Sequence, residues 1–291
     1  MNEPASTSKA SNLTVRLLTA AVAVPFILWA LLAGPLWVWA GFVLLLAIPV
    51  AAQEMFAMTM PGQRVLQAWG IVATTLVGLL FYGVSSPAYA GSLLPLFPFL
   101  LLAILCGSLL VSLQSPVPSD AAGLRMAWLV AGPIYVGALT SSVASLHALP
   151  RGGQWVVLSM MLAWFADTGG YFAGRFLGGK LFGPRKMSPN ISPNKTWEGA
   201  MGGVLGALLG SLLAHFWYLP ELPLIGAISL ALVAGPLGIC GDLVESLIKR
   251  STGSKDSGWI VPGHGGLIDR IDALMFTATT TLLYVHLVLA S

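Results

Sequence analysis

Stretches such as "FVLLLAIPVAA" and "LLPLFPFLLLAILCGSLLVSL" carry no charge and do not alternate polar with apolar residues. A transmembrane barrel strand alternates over about ten residues, so these runs read as helices. Composition agrees: 56% of the 291 residues are hydrophobic and 9% are charged, against roughly a quarter charged in soluble domains. In a bilayer, backbone groups must be satisfied internally, which leaves helices for runs of this kind. The expected class is an all-α, polytopic integral membrane protein.

With a span of about 20 residues, nine helices are expected, near 14–33, 36–58, 67–84, 92–114, 124–148, 155–176, 197–219, 223–248 and 271–290. The opening run is read as an uncleaved first helix, not a signal sequence. Pro and Gly punctuate most connections. Two connections are long, about 177–196 and 249–270, and the two helices between them put both on one membrane face. Of the 14 Lys and Arg residues, all but Arg151 fall on that same face, which the positive-inside rule makes cytoplasmic.

Seventeen of the 25 charged residues lie between Asp167 and Asp272. Residues 1–150 are therefore expected to be scaffold, and residues 151–291 to hold the catalytic region with its two loops. The cations form no long tract that could follow a phosphate backbone, so no nucleic-acid partner is expected. Cys106 and Cys240 sit in apolar helical stretches and suggest neither a disulfide framework nor a metal pair.

Asp242 and Glu245 lie three apart at the end of the eighth expected span, and Asp269 and Asp272 lie three apart at the start of the ninth. Each pair shares a helical face. Carboxylates near hydrocarbon are costly unless paired, solvated or bound to cations. Facing pairs would suit Mg²⁺ together with substrate phosphates; the alternative is ion pairing with Lys249, Arg250 and Arg270. Asp167, inside "AWFADTGGYFAGRF", either packs helices or pairs with Arg175, or contacts substrate or metal. The loop "SLIKRSTGSKDSGWIVPGHGGLIDRID" adds four cations and several glycines, a composition suited to a polyphosphate.

That stretch resembles the signature of phosphatidate cytidylyltransferases, with Ser246, Lys249, Arg250, Lys255, Asp256, Pro262, His264, Gly265, Gly266, Asp269, Arg270 and Asp272 at the expected spacing. The run from Asp167 to Gly199, ending "SPNKTWEG", is similar to that family's second motif. The resemblance is firm over about 165–275. It implies the reaction CTP + phosphatidate → CDP-diacylglycerol + pyrophosphate with Mg²⁺, in phospholipid biosynthesis.

On this resemblance Asp242 and Asp269 are the leading metal ligands, with Asp272, Glu245 and Asp167 of second rank. Lys249, Arg250, Lys255, Lys195 and Arg270 would bind the triphosphate or the lipid phosphate. Ser192, Asn194, Thr196, Arg175, Asp167, Asp256, Gly265 and Gly266 would line the substrate site. His264 is read as a phosphate or structural partner and not as a base, because the phosphatidate headgroup is already an anion.

The implied location is a bacterial inner (plasma) membrane, with the active site on the cytoplasmic face and membrane lipid as surroundings. Two other classes compete: a CTP-dependent lipid-alcohol kinase and an ion-coupled transporter. Gly174 to Lys180 spells GxxxxGK, but Leu181 follows and an apolar helix precedes it, so it is not a P-loop. Small residues at Gly199/Gly203 and Gly202/Gly206/Gly210 permit close helix packing, within one chain or across a homodimer.

Overall fold

The computed structural model describes residues 21–22, 25–114, 121–183, 185–260 and 265–289. Eight helices of 16 residues or longer order them: α1 (Leu36–Thr59), α2 (Arg64–Ser85), α3 (Phe97–Ser112), α4 (Ala122–His147), α5 (Gly152–Leu177), α6 (Trp197–Trp217), α7 (Leu224–Ser251) and α8 (Ile268–Leu289); a single short turn of helix, Ala90–Leu93, precedes α3. All except α3 are long and apolar enough to cross a membrane, and the chain is an integral membrane protein. Much of the first expected span, 14–33, lies outside the described residues; its residues 25–32 are helical. The described residues thus account for eight of the nine expected helices, with α3 shorter than read.

Large apolar side chains cover the outside, among them Leu205, Leu209 and Phe216 on α6 and Ile225 and Leu232 on α7. Lipid tolerates that surface; water would not. Inside, α8 is held by hydroxyls as well as by packing. Thr277 donates to the Ser159 carbonyl at 2.9 Å, and Ser142 and Thr279 share a 2.9 Å bond, so α4, α5 and α8 are pinned within one core.

The α5 and α6 helices approach backbone to backbone. A Cβ on Gly169 would collide with the Gly202 carbonyl, and one on Gly206 with the Phe165 carbonyl. The small-residue stripe of α6 therefore packs within one chain, against α5 at Gly202, Gly206 and Gly210. Backbone-to-backbone approach of this kind is how helices associate where lipid removes the hydrophobic drive.

The connection between α5 and α6, read from sequence as plain loop, contains a two-stranded antiparallel hairpin, β1 (Lys186–Ser188) and β2 (Ser192–Thr196). Lys186 pairs with Thr196 and Ser188 with Ser192. Thr196 closes β2 and caps α6, its hydroxyl accepting from Gly199 N at 3.0 Å. Arg250, in the last turn of α7, donates to the Ile191 carbonyl in the hairpin at 3.4 Å, so both long connections meet at one end of the bundle. At the other end Arg151 pairs with Glu221 at 2.7 Å.

Helix ends also move relative to the sequence reading. The α7 helix continues to Ser251, with Lys249 and Arg250 in its last turn, and α8 starts at Ile268, with Asp269 in its first turn. Each charge suits the dipole of the helix end it occupies, which accounts for the extra turn on each.

Candidate active site

The end of α7 and the start of α8 bring three carboxylates together. Oxygen atoms of Asp242, Glu245 and Asp272 lie within 4.8 Å of one another. Asp242 and Glu245 share a face of α7 by their i, i+3 spacing, and Asp272 meets them from α8. Glu245 is 2% exposed, and its Oε1 is buried without a hydrogen-bond partner among the described residues. A buried acceptor left bare is costly, and three hard oxygen donors around it form a set that a divalent cation would complete.

Asp269 does not join that triplet. Its Oδ1 accepts from Lys249 Nζ at 2.7 Å; its Oδ2 accepts from Ser257 N at 3.1 Å, Ser257 Oγ at 3.0 Å and Gly266 N at 2.9 Å. Lys249 also reaches Glu245 Oε2 at 2.7 Å. Of the two leading ligands read from sequence, then, Asp242 stands in the carboxylate cluster, while Asp269 ties the loop to α8 and anchors a lysine. One helical turn separates the two roles: Asp272 meets the α7 carboxylates, while Asp269 bridges Lys249 of α7 and the loop donors of Ser257 and Gly266.

Beside the triplet opens a cleft of about 540 Å³, lined among others by Asp167, Arg175, Asn194, Lys195, Thr196 and Asp242. Lys195, projecting from β2, pairs with Asp242 Oδ2 at 2.8 Å. Asp167 lines this cleft and makes no ion pair with Arg175 among the described residues; Arg175 instead donates to the Tyr171 hydroxyl at 3.4 Å. Cleft and carboxylates share Asp242, so a ligand in one would abut the other.

The remaining expected residues divide by position. Arg250 is spent on backbone carbonyls, Ile191 and Ser254, both at 3.4 Å. Lys255, Asp256 and Arg270 are exposed. Ser192 sits in the hairpin opposite Ser188. Gly265 adopts φ +86, a conformation that favours glycine, and the Gly266 N–H is committed to Asp269. His264 lies outside the described residues.

Sequence reading gave no role to two buried glutamates. Glu54, in α1, accepts from Leu267 N at 2.9 Å, Ile268 N at 3.0 Å and Ser257 Oγ at 3.3 Å. Glu198 Oε1 accepts from Gly179 N, Leu181 N and Phe182 N at 3.0, 3.2 and 3.0 Å. Each holds one of the two long connections. The signal for Glu54 was present as a lone acid in an apolar run, "VAAQEMFAM", which is a functional pointer in a membrane helix. Tyr135 was also missed. It lies on a π-helical segment of α4 at Pro133–Ala138, its buried hydroxyl has no hydrogen-bond partner among the described residues, and the carboxyl groups of Asp272, Glu245 and Asp242 act on it electrostatically.

The profile of the cytidylyltransferase family matches residues 14–288. Among curated proteins, the phosphatidate cytidylyltransferase of Haemophilus influenzae is 39% identical over 143 residues, 49% of each chain. That of Synechocystis is 34% identical over 142 residues, 48% of this chain and 46% of the relative. The Brucella suis protein of the same name is 34% identical over 161 residues, 54% of this chain and 56% of the relative. The chain spans about half the length of the curated relatives it matches.

Proposed function

The chain belongs to the cytidylyltransferase family, and from that premise we propose that it transfers the cytidylyl group of CTP to phosphatidate, giving CDP-diacylglycerol and pyrophosphate. The observation that carries this reading is the shared wall between the carboxylate triplet and the cation-lined cleft at Asp242. Relatives named phosphatidate cytidylyltransferase support the choice of substrates.

Asp242, Glu245 and Asp272 fit a magnesium ion, because the orphaned Glu245 Oε1 and an all-oxygen donor set match a hard cation. When bound, the ion would neutralise the charge that develops on the transferring phosphoryl group and its leaving pyrophosphate. The protein's own groups do the remaining work. Lys195 and Arg175 offer positive charge to the triphosphate from the wall of the cleft, and Arg270 offers it from the start of α8. Lys249, clamped between Glu245 and Asp269, holds the two helix ends in register. The phosphatidate oxygen attacks as an anion, so positioning and charge neutralisation suffice and no side chain must remove a proton.

The Lys/Arg asymmetry supports a cytoplasmic active site in a bacterial inner membrane. Single cysteines at Asn190 and Asp256, in a background lacking Cys106 and Cys240, should then label from the cytoplasmic side alone. Purified protein incubated with phosphatidate and α-labelled CTP should move label into lipid, lose that activity in EDTA and regain it with Mg²⁺. Label entering lipid from γ-labelled CTP would make the protein a kinase, and absence of label from both would refute the proposal.

A further inference from the structure

Glu54 stands well away from the catalytic half in sequence, yet its carboxylate occupies the N-terminal end of α8. The first amides of a helix have no intrahelical acceptor, and an anion there is favoured by the dipole as well as by hydrogen bonding. Side chains close to the helix usually fill this place. Here the acceptor comes from α1: Glu54 Oε1 takes Leu267 N and Oε2 takes Ile268 N, at 2.9 and 3.0 Å. It is 4% exposed and is so closely enclosed that a Cβ on Gly258 would lie 2.6 Å from its Oε1.

The bonds continue inward from there. Ser257 Oγ lies 3.3 Å from Glu54 Oε2 and 3.0 Å from Asp269 Oδ2, Asp269 holds Lys249, and Lys249 holds Glu245. The hydroxyl has one proton to donate to one carboxylate at a time, and it stands between Glu54 of α1 and the ion pair beside the triplet. We infer that Glu54 is a positioning residue: by fixing the first turn of α8 from outside the catalytic half, it sets where Asp269 and Asp272 stand against α7.

A glutamine at this position is nearly isosteric but turns one oxygen into a donor that faces donors. An aspartate keeps both oxygens on a shorter arm. The test uses the full chain with Glu54→Gln and Glu54→Asp, read by amide hydrogen exchange and by Mn²⁺ titration followed by electron paramagnetic resonance. In Glu54→Gln, exchange over residues 265–272 should rise by about tenfold while α5 and α6 keep their rates, and Mn²⁺ affinity per folded molecule should fall by about tenfold. Glu54→Asp should recover part of both.

Unchanged exchange at 265–272, faster exchange everywhere, or a local rise with unaltered Mn²⁺ affinity would each overturn the inference. So would an unsubstituted protein that takes up no Mn²⁺. The inference rests on the proposed function only through the cation site. If the unsubstituted protein makes no labelled lipid but both readouts shift in the variants, the function fails and this inference stands; labelled lipid with no shift gives the reverse.

Discussion

Lys249 Nζ lies 2.7 Å from Asp269 Oδ1, joining the last turn of α7 to the first turn of α8. The side chains are 13% and 8% exposed, so water screens this pair little. Asp269→Asn would leave an amide NH₂ facing either the Lys249 ammonium or the three donors from Ser257 and Gly266. Loss of a buried partner of this kind should cost roughly 2–4 kcal/mol. Thermal unfolding in detergent should show the drop. Asp242→Asn, a third exposed, should instead unfold near the parental temperature while losing more than about a hundredfold in turnover. The reverse pattern would exchange the roles assigned to these two aspartates.

Lys195 reaches from β2 to Asp242 while lining the cleft. Its side chain is 22% exposed, and a partly solvated pair of this sort contributes less than about 1 kcal/mol to stability. Lys195→Ala should therefore fold normally and show its effect in catalysis, as a rise of about tenfold or more in KM for CTP. Unaltered kinetics for both substrates would remove Lys195 from the site.

Gly206 touches the α5 backbone where no methyl group fits. Gly206→Ala should force α5 and α6 apart and destabilise the protein by about 1–3 kcal/mol. Gly123, in the first turn of α4, has nothing among the described residues within 4 Å of where a Cβ would stand. Gly123→Ala should be neutral or stabilising by a few tenths of a kcal/mol or more, up to about 1. Equal melting temperatures for the two variants would contradict the packing described for α5 and α6.

At the opposite end of the bundle, Arg151 and Glu221 form a pair whose side chains are 50% and 47% exposed. Arg151→Ala should change stability by less than about 1 kcal/mol and leave steady-state kinetics untouched. A loss of turnover comparable to that of Asp242→Asn would mean that the two ends communicate.

Hydropathy made the helices legible because a span must be apolar over its whole length, and that property is local. The acidic pairs were legible for the same reason: i, i+3 spacing needs no tertiary information. The split between Asp272 and Asp269 was not, since it depends on which groups of α7 and of the loop meet each turn of α8. Nor was the β1–β2 hairpin, whose strands are short and polar and carry no apolar alternation. Glu54 was visible as an isolated acid, but its partners Leu267 and Ile268 are distant in the chain, and backbone amides leave no mark in a sequence.

The α1 helix is not uniform: between Leu36–Gly41 and Ile48–Thr59 it passes through a π-helical segment, Phe42–Ala47. A π turn accommodates one residue more than an α turn in the same ladder. Each residue of an α-helix advances the face by about 100°, so this surplus residue sets the angular phase of everything that follows it, Glu54 included. Deleting one residue from Phe42–Ala47 would let that segment close as an α turn with Glu54 still in phase, whereas deleting one between Ile48 and Gln53, where no surplus absorbs it, would preserve hydropathy and span length almost intact yet rotate the carboxylate by about 100° away from the α8 amides. For α1, residue count is therefore an orientation as much as a length, and an insertion or deletion that membrane insertion would tolerate would still be read at the far end of the helix as a misdirected side chain.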